Sequence, residues 1–285
     1  MQGVGKPMGS LRRIRALWAW ALTLLIAVPM AVGALTLEGP SQQGGLLAGQ
    51  VPPGSEVTAL GHRVPVDEAG RFLLGLGRDA PAEVVVRVAR PTGEDDVHTI
   101  AVTPRDYEVQ RIDGLPSNQV TPDAQTLARI RRDNAAVAAA RAKRLPERYF
   151  DSGWIWPVTG PISGVYGSQR VLNGQPRQPH YGIDIARPTG TPVVAPADGV
   201  VTLAAPDLFF SGGTMIIDHG QGLSSSFLHL ATMHVAVGDQ VAQGEVIAEV
   251  GATGRVTGAH LDWRMNWFDQ RIDPSLLVPP MPTGD

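Results

Sequence analysis

Five residues in the C-terminal half have the types and spacing to do chemistry: His180, Asp184, His229, His260 and Asp262. Imidazole nitrogens and carboxylate oxygens are donors that a catalytic zinc ion commonly takes. His180 and Asp184 stand four apart in QPHYGIDIARPTG, with Tyr181, Gly182 and Ile183 between them. A turn leading into a strand can bring such a pair to one metal. His260 and Asp262 stand two apart in GATGRVTGAHLDW, so on a strand both project from the same face. His229 sits in SSSFLHL, where the same alternation puts it on the face of Phe227. The glycines before His260 make a turn rather than a phosphate loop, because no Gly-Lys-Ser/Thr and no helix follows them. The chain has no cysteine, which excludes thiol nucleophiles, zinc fingers and disulfides. Its only lysines are Lys6 and Lys143, which excludes lysine chemistry from the C-terminal half.

These residues lie in four ordered motifs over about residues 154–278. The motifs are Trp156-Pro157 with GVYG at 164–167, HYGIDIARPTGTPVVAPADGVV, IIDHGQGLSSSFLHL and VAVGDQVAQGEVIAEVGATGRVTGAHL. The stretch resembles the lysostaphin-type (LytM-like) zinc metalloendopeptidases, which cut peptidoglycan peptides. The resemblance implies an all-β catalytic domain that hydrolyses peptide bonds of peptidoglycan with a metal-activated water and two assisting histidines. It makes His180 and Asp184 the first two zinc ligands. It makes His229 the histidine that assists the attacking water or the oxyanion. The family then has His-x-His, a catalytic histidine followed by the third ligand; the matching residues here are His260 and Asp262. Asp262 departs from that pattern. Zinc accepts aspartate oxygen at about 2.0–2.2 Å, so the exchange keeps a competent donor. A second carboxylate makes the ion a weaker Lewis acid and favours harder ions such as Mn²⁺.

Two other readings compete. Degenerate relatives bind and activate a cell-wall amidase without cutting, which is the alternative function. VAVGDQVAQGEVIAEV also resembles a lipoyl or biotinyl carrier hairpin, but such carriers need a turn lysine and none follows residue 143.

The elements that must position these residues can be read from composition and pattern. The 285 residues suit about two domains. With 43% hydrophobic and 18% charged residues, the composition is that of a globular protein. Gly 33 and Pro 24 with only 6% aromatics point to many turns and short strands, hence a mostly β fold. Residues 1–34 read as an export signal. Four cations and no acid precede or flank the apolar run 16–28, Pro29 breaks it, and Val32-Gly33-Ala34 offers a cleavage site. Left uncleaved, residues 16–34 are a membrane tether. Either way the remainder is expected outside the cytoplasm, in the periplasm or cell envelope. Without Lys6, Arg12, Arg13 and Arg15 the formal charge falls from −3 to −7, which disfavours nucleic acid as a partner and leaves peptidoglycan.

Residues 35–112 read as a small β-sandwich, with strands over 83–90 and 96–102 and turns at 52–55 and 67–70. Its histidines, His62 and His98, read as surface residues. Residues 113–150 are a linker with a helix over 121–145, capped by Thr121 and ended by Pro146. The six cations on that helix read as a solvated face. Residues 151–285 form the metallopeptidase-like domain, with strands over 199–203, 213–218, 224–229, 245–250 and 261–267 and no helix of ten residues. His219 reads as a turn residue. Trp263 points away from Asp262 and is expected in the core.

Overall fold

The structure, a computed structural model, describes residues 35–112, 123–172 and 174–282. The export segment and its cleavage site lie outside these residues, as do Thr121 and Pro122. The described residues belong to one compact unit, Gly33–Asp285, and are mostly β. Among them, no helix is long and apolar enough to cross a membrane.

Strands β1 (Thr36–Glu38), β2 (Leu46–Gln50), β3 (Glu56–Ala59), β4 (His62–Val64), β5 (Arg71–Gly75), β6 (Glu83–Ala89) and β7 (Asp95–Ala101) make two antiparallel sheets, ordered β1-β2-β5 and β4-β3-β6-β7. Strand β6 shows why. EVVVRVA buries Val84, Val86 and Val88 and leaves the alternate residues exposed, the period-2 pattern of a half-buried strand. The buried valines share a core with Leu47, Phe72 and Leu74. The expected turns close through Ser55 N–H to Pro52 O (3.1 Å) and Gly70 N–H to Asp67 O (2.9 Å).

Strand β8 (Val109–Ile112) precedes helix α1 (Ala124–Ala142). The helix is shorter than expected, and its N-cap is Asp123, whose carboxylate accepts from Thr126 N–H at 2.7 Å. A short polar side chain at this position satisfies an N–H that the helix leaves free. Helix α1 is docked rather than wholly solvated. Arg129 pairs with Asp207 at 2.7 Å, and Asp133 Oδ2 accepts from Phe209 N–H at 2.7 Å.

The remaining strands are β9 (Ile162–Gly164), β10 (Gln169–Leu172), β11 (Gln175–Pro176), β12 (Ile183–Ala186), β13 (Pro192–Val194), β14 (Gly199–Leu208), β15 (Gly212–Gly220), β16 (Leu223–Leu230), β17 (Thr232–Met233), β18 (Gln240–Val241), β19 (Val246–Glu249), β20 (His260–Trp267) and β21 (Gln270–Ile272). Eight of them form the main sheet, ordered β18-β14-β15-β16-β20-β12-β9 with β21 beside β20. Small sheets β13-β19-β17 and β11-β10-β8 flank it. The described part of 154–278 holds only a short 3-10 turn, Pro274–Leu276. Strands β15 and β16 are buried along their whole length, so the sheet is covered on both faces. One face carries the core with Phe227, Trp263, Met265 and Trp267. The other lies under α1 and the segment after it, where Leu145 N–H donates to Asp218 Oδ2 at 3.0 Å.

The N-terminal sheets pack directly on this core. A Cβ at Gly75 of β5 would stand 2.6 Å from Trp267 Cβ. Arg105 pairs with the buried Asp273 at 2.8 Å. His62 is not an isolated surface residue: its ring stacks on Phe268 at 4.4 Å, and Nε2 lies 2.7 Å from Asp269 Oδ1.

Candidate metal centre

Strand β20 organises the site. HLDWRMNW alternates without a break. Leu261, Trp263, Met265 and Trp267 are fully buried in the core, so His260, Asp262, Arg264 and Asn266 project from the opposite face. Strand β12 pairs with β20 so that Asp184 lies directly across from Asp262. Like charges opposed on neighbouring strands repel, and both carboxylates are buried. The arrangement calls for positive charge between them.

His180 faces that gap. Its Nε2 lies 3.0 Å from Asp184 Oδ1 and 3.5 Å from Asp262 Oδ2. One donor atom from each of the three residues lies within 4.8 Å of the others. Donors about 2.0–2.2 Å from a tetrahedral zinc stand roughly 3.3 Å apart, so the spacing suits one ion. His180 Nε2 and Asp184 Oδ1 are buried and face each other, with no hydrogen-bond partner outside the three residues. Two buried donor atoms that meet only each other and Asp262 fit a divalent cation between them. Glycines clear the space around them: a Cβ at Gly164 would come 2.2 Å from Asp184 Oδ2, and one at Gly182 would come 2.4 Å from Asp262 Oδ1. Burial works against a charged His180, but the two carboxylates outweigh it and push its pKa up to about 9. The electrostatics that hold a proton there also favour a metal cation.

Asp262 has a partner that the sequence reading missed. Arg264 Nε lies 2.9 Å from Oδ1 and 3.1 Å from Oδ2, and Nη2 also bonds Oδ2. Burial raises the Asp262 pKa, but Arg264 and His180 more than offset this and hold the carboxyl well below its usual range. The Asp262–Arg264 pair is neutral, as an imidazole at that position would be. The signal was present in HLDWR, where a spacing of two puts Arg264 on Asp262's face.

His229 reaches the site by breaking a rule. Register pairs Phe227 with Trp263 and Leu228 with Asp262, so plain alternation would send His229 to the core face with Phe227. Instead the β15–β16 ladder shifts register around this residue, and His229 has a φ of 65°. The bulge turns its ring to 4.8 Å from that of His260, centroid to centroid. The shared face with Phe227 is thereby corrected, because bulges re-aim side chains. A left-handed non-glycine residue costs about 1–2 kcal/mol.

The three histidines share one orientation. Nδ1 faces a backbone carbonyl in each: Val165 O at 3.2 Å for His180, Thr253 O at 2.9 Å for His229 and Gly258 O at 2.9 Å for His260. An Nδ1–H donated to a carbonyl leaves the lone pair on Nε2. Burial lowers the pKa of His229, which keeps the ring neutral. His260 Nε2 lies 3.7 Å from Asp184 Oδ1. The five residues singled out by the sequence therefore come together at one face of β12, β16 and β20. His219 does not join them and is no turn residue. It is fully buried in β15 between Asp198 O (2.6 Å) and Ser225 Oγ (2.7 Å). His234 sits 3.4 Å from Glu249, away from the site.

Residues 178–274 match the model of peptidase family M23. The chain is similar to a DD-carboxypeptidase/endopeptidase, Mpg, of Neisseria meningitidis serogroup B, 41% identical over 103 residues, which are 36% of this chain and 24% of that protein. It is also similar to a lipoprotein NlpD/LppB homologue of Pseudomonas aeruginosa, 38% identical over 127 residues, or 45% and 40% of the two chains. The matched stretch thus spans a fifth to two fifths of the length of such relatives. A crystal structure of a candidate M23 peptidase from Pseudomonas aeruginosa is alike over much more of the chain. It has a TM-score of 0.64 and 32% identity over 83% of this chain and 94% of that one. A likeness that runs through the N-terminal sheets as well as the face holding His180, Asp184 and Asp262 places this chain in peptidase family M23.

Proposed function

We propose that the protein is an exported metalloendopeptidase that hydrolyses peptide bonds of peptidoglycan, with zinc held by His180, Asp184 and Asp262. The observation that carries this reading is the convergence of one donor atom from each of three buried residues, within reach of a single ion. Similarity to a peptidoglycan DD-endopeptidase of Vibrio cholerae, 40% identical over 87 residues, supports the substrate class. When bound, zinc supplies the Lewis acid that polarises a carbonyl and activates water. The chain does the rest. His229, kept neutral by burial and with Nδ1–H tied to Thr253 O, is suited to accept a proton at Nε2. His260, with Nδ1–H tied in the same way to Gly258 O, would act in its imidazolium form, Nε2–H stabilising an oxyanion or passing its proton to the leaving amine. Arg264 holds Asp262 and cancels its charge, which answers the weakening expected from a second carboxylate donor.

One observation favours the alternative, an activator of a cell-wall amidase that cuts nothing itself. The guanidinium already occupies both oxygens of Asp262. The test is metal analysis of the purified chain together with digestion of isolated peptidoglycan, the products identified by mass spectrometry. About one zinc per chain, and cleavage abolished by a chelator, are expected. Absence of both, with zinc or Mn²⁺ supplied, overturns the peptidase reading, and stimulation of an amidase would then establish the alternative.

A further inference from the structure

Three guanidinium groups gather on the sheet face that carries the candidate ligands. Arg264 follows Asp262 on β20. Arg271 of β21 stands opposite Asn266 and donates to its Oδ1 at 2.9 Å. Arg141, in the last turn of α1, donates to Ser226 Oγ at 3.1 Å, and Ser226 is the register partner of Arg264. None of the three is exposed. Asp262 answers Arg264, but among the described residues neither Arg141 nor Arg271 has an ion pair. Arg141 Nε is buried with no hydrogen-bond partner at all. The Arg271 guanidinium lies 5.4 Å from the ring centroid of Tyr181, the residue after His180. Burial, with the charges of Arg271 and Arg264 beside it, lowers the Arg141 pKa to about 9, so the group is still charged at neutral pH. Buried cations without a counter-charge are disfavoured. A planar guanidinium matches a carboxylate through two parallel hydrogen bonds.

We propose that Arg141, Arg264 and Arg271 form a carboxylate-binding subsite beside the metal ligands, which takes a free carboxylate carried by the peptide substrate. The carrier's identity rests on the peptidase reading above; the subsite itself rests on the three guanidiniums. Arg264 touches Asp262, so the bound carboxylate belongs within one or two residues of the bond that is cut. Helix α1, which contributes Arg141, becomes a wall of the substrate cleft.

The probes are N-acetyl-alanyl-alanine in its L,L and D,D forms, each with its C-terminal amide as uncharged control. They are titrated into the full chain after chelator treatment, so that binding is read without metal or cleavage. One free acid is expected to bind at least about ten-fold more tightly than its amide. Arg271→Gln and Arg141→Gln should each abolish that preference while melting as the wild type does. Equal binding of acid and amide, binding of none, or an intact preference in Arg271→Gln overturns the subsite. So does binding of inorganic phosphate with none of the acids, which would assign the cluster to a phosphate-bearing polymer. If Arg141→Gln fails to fold, Arg271→Gln, which lies off the helix, decides. Failure of the peptidase reading would show separately, in metal content and digestion.

Discussion

At the scale of single residues, the candidate site separates holding a metal from moving protons. Asp262→Ala removes a donor and leaves Arg264 facing the centre unpaired. Metal affinity should fall by more than the 10–100-fold typical of an outer-shell change, read as metal content after dialysis. Arg264→Gln keeps the donor but loses the hydrogen bonds that orient its carboxylate, so it should fall within that 10–100-fold range. His260→Ala should keep the metal and lose about 10²–10⁴-fold in turnover on peptidoglycan. Full metal content in Asp262→Ala would show that Asp262 is a bystander. Gly182→Ala tests the cradle, since its Cβ would meet Asp262 Oδ1 at 2.4 Å and Trp263 O at 2.6 Å. Backbone cannot yield as a flexible side chain can, so this variant should lose metal although no donor is changed.

At the scale of elements, β15 carries a pH dependence of stability. Burial lowers the His219 pKa to about 4, against 6.5 for an ordinary histidine. Between those values the unfolded chain binds a proton that the folded chain refuses. The stabilising contribution of neutral His219 is therefore complete above pH 6.5 and is lost as the pH falls towards 4. A displacement of this size corresponds to about 3 kcal/mol. Urea unfolding of wild type and His219→Gln should diverge in slope across that window, with the variant flatter; parallel curves would remove His219 as the cause. Strand β16 carries a different device. Its bulge gives His229 a left-handed backbone, so local strain is exchanged for a ring aimed at His260.

At the scale of the whole molecule, the N-terminal sheets and the sheet that holds the site share one core. Strand β8 hydrogen-bonds in parallel with β10 across the interval that contains α1. Boundaries near residues 112 and 150 are therefore proposed as marks of topology, and independent folding is a separate matter. A chain beginning at Asp151 would expose Trp267, Phe268 and Ile272, each worth about 1.5–3 kcal/mol of burial. Such a loss is large beside a total stability of about 5–15 kcal/mol. The truncated chain should melt well below the full one; an unchanged melting temperature would show that the two parts fold independently.

What the sequence determined by itself is whatever repeats with a local period or rests on a local signal. The alternation in EVVVRVA and HLDWRMNW fixes which residues face the core, places Trp263 there, and puts His260 beside Asp262. Turn signals at 52–55 and 67–70 depend on three or four neighbouring residues, so they too were legible. Whatever depends on partners distant in the chain was decided only by the tertiary structure. Register between β12 and β20 sets Asp184 opposite Asp262, a relation that no local spacing contains. The bulge in β16 overrides the alternation that assigned His229 to Phe227's face. Helix α1 is polar by sequence, and only the folded sheet provides the Asp207, Phe209 and Ser226 partners that hold it down. Arg264 lies between these cases: its face was readable from a spacing of two, but its grip on Asp262 came from burial, which makes a counter-charge necessary.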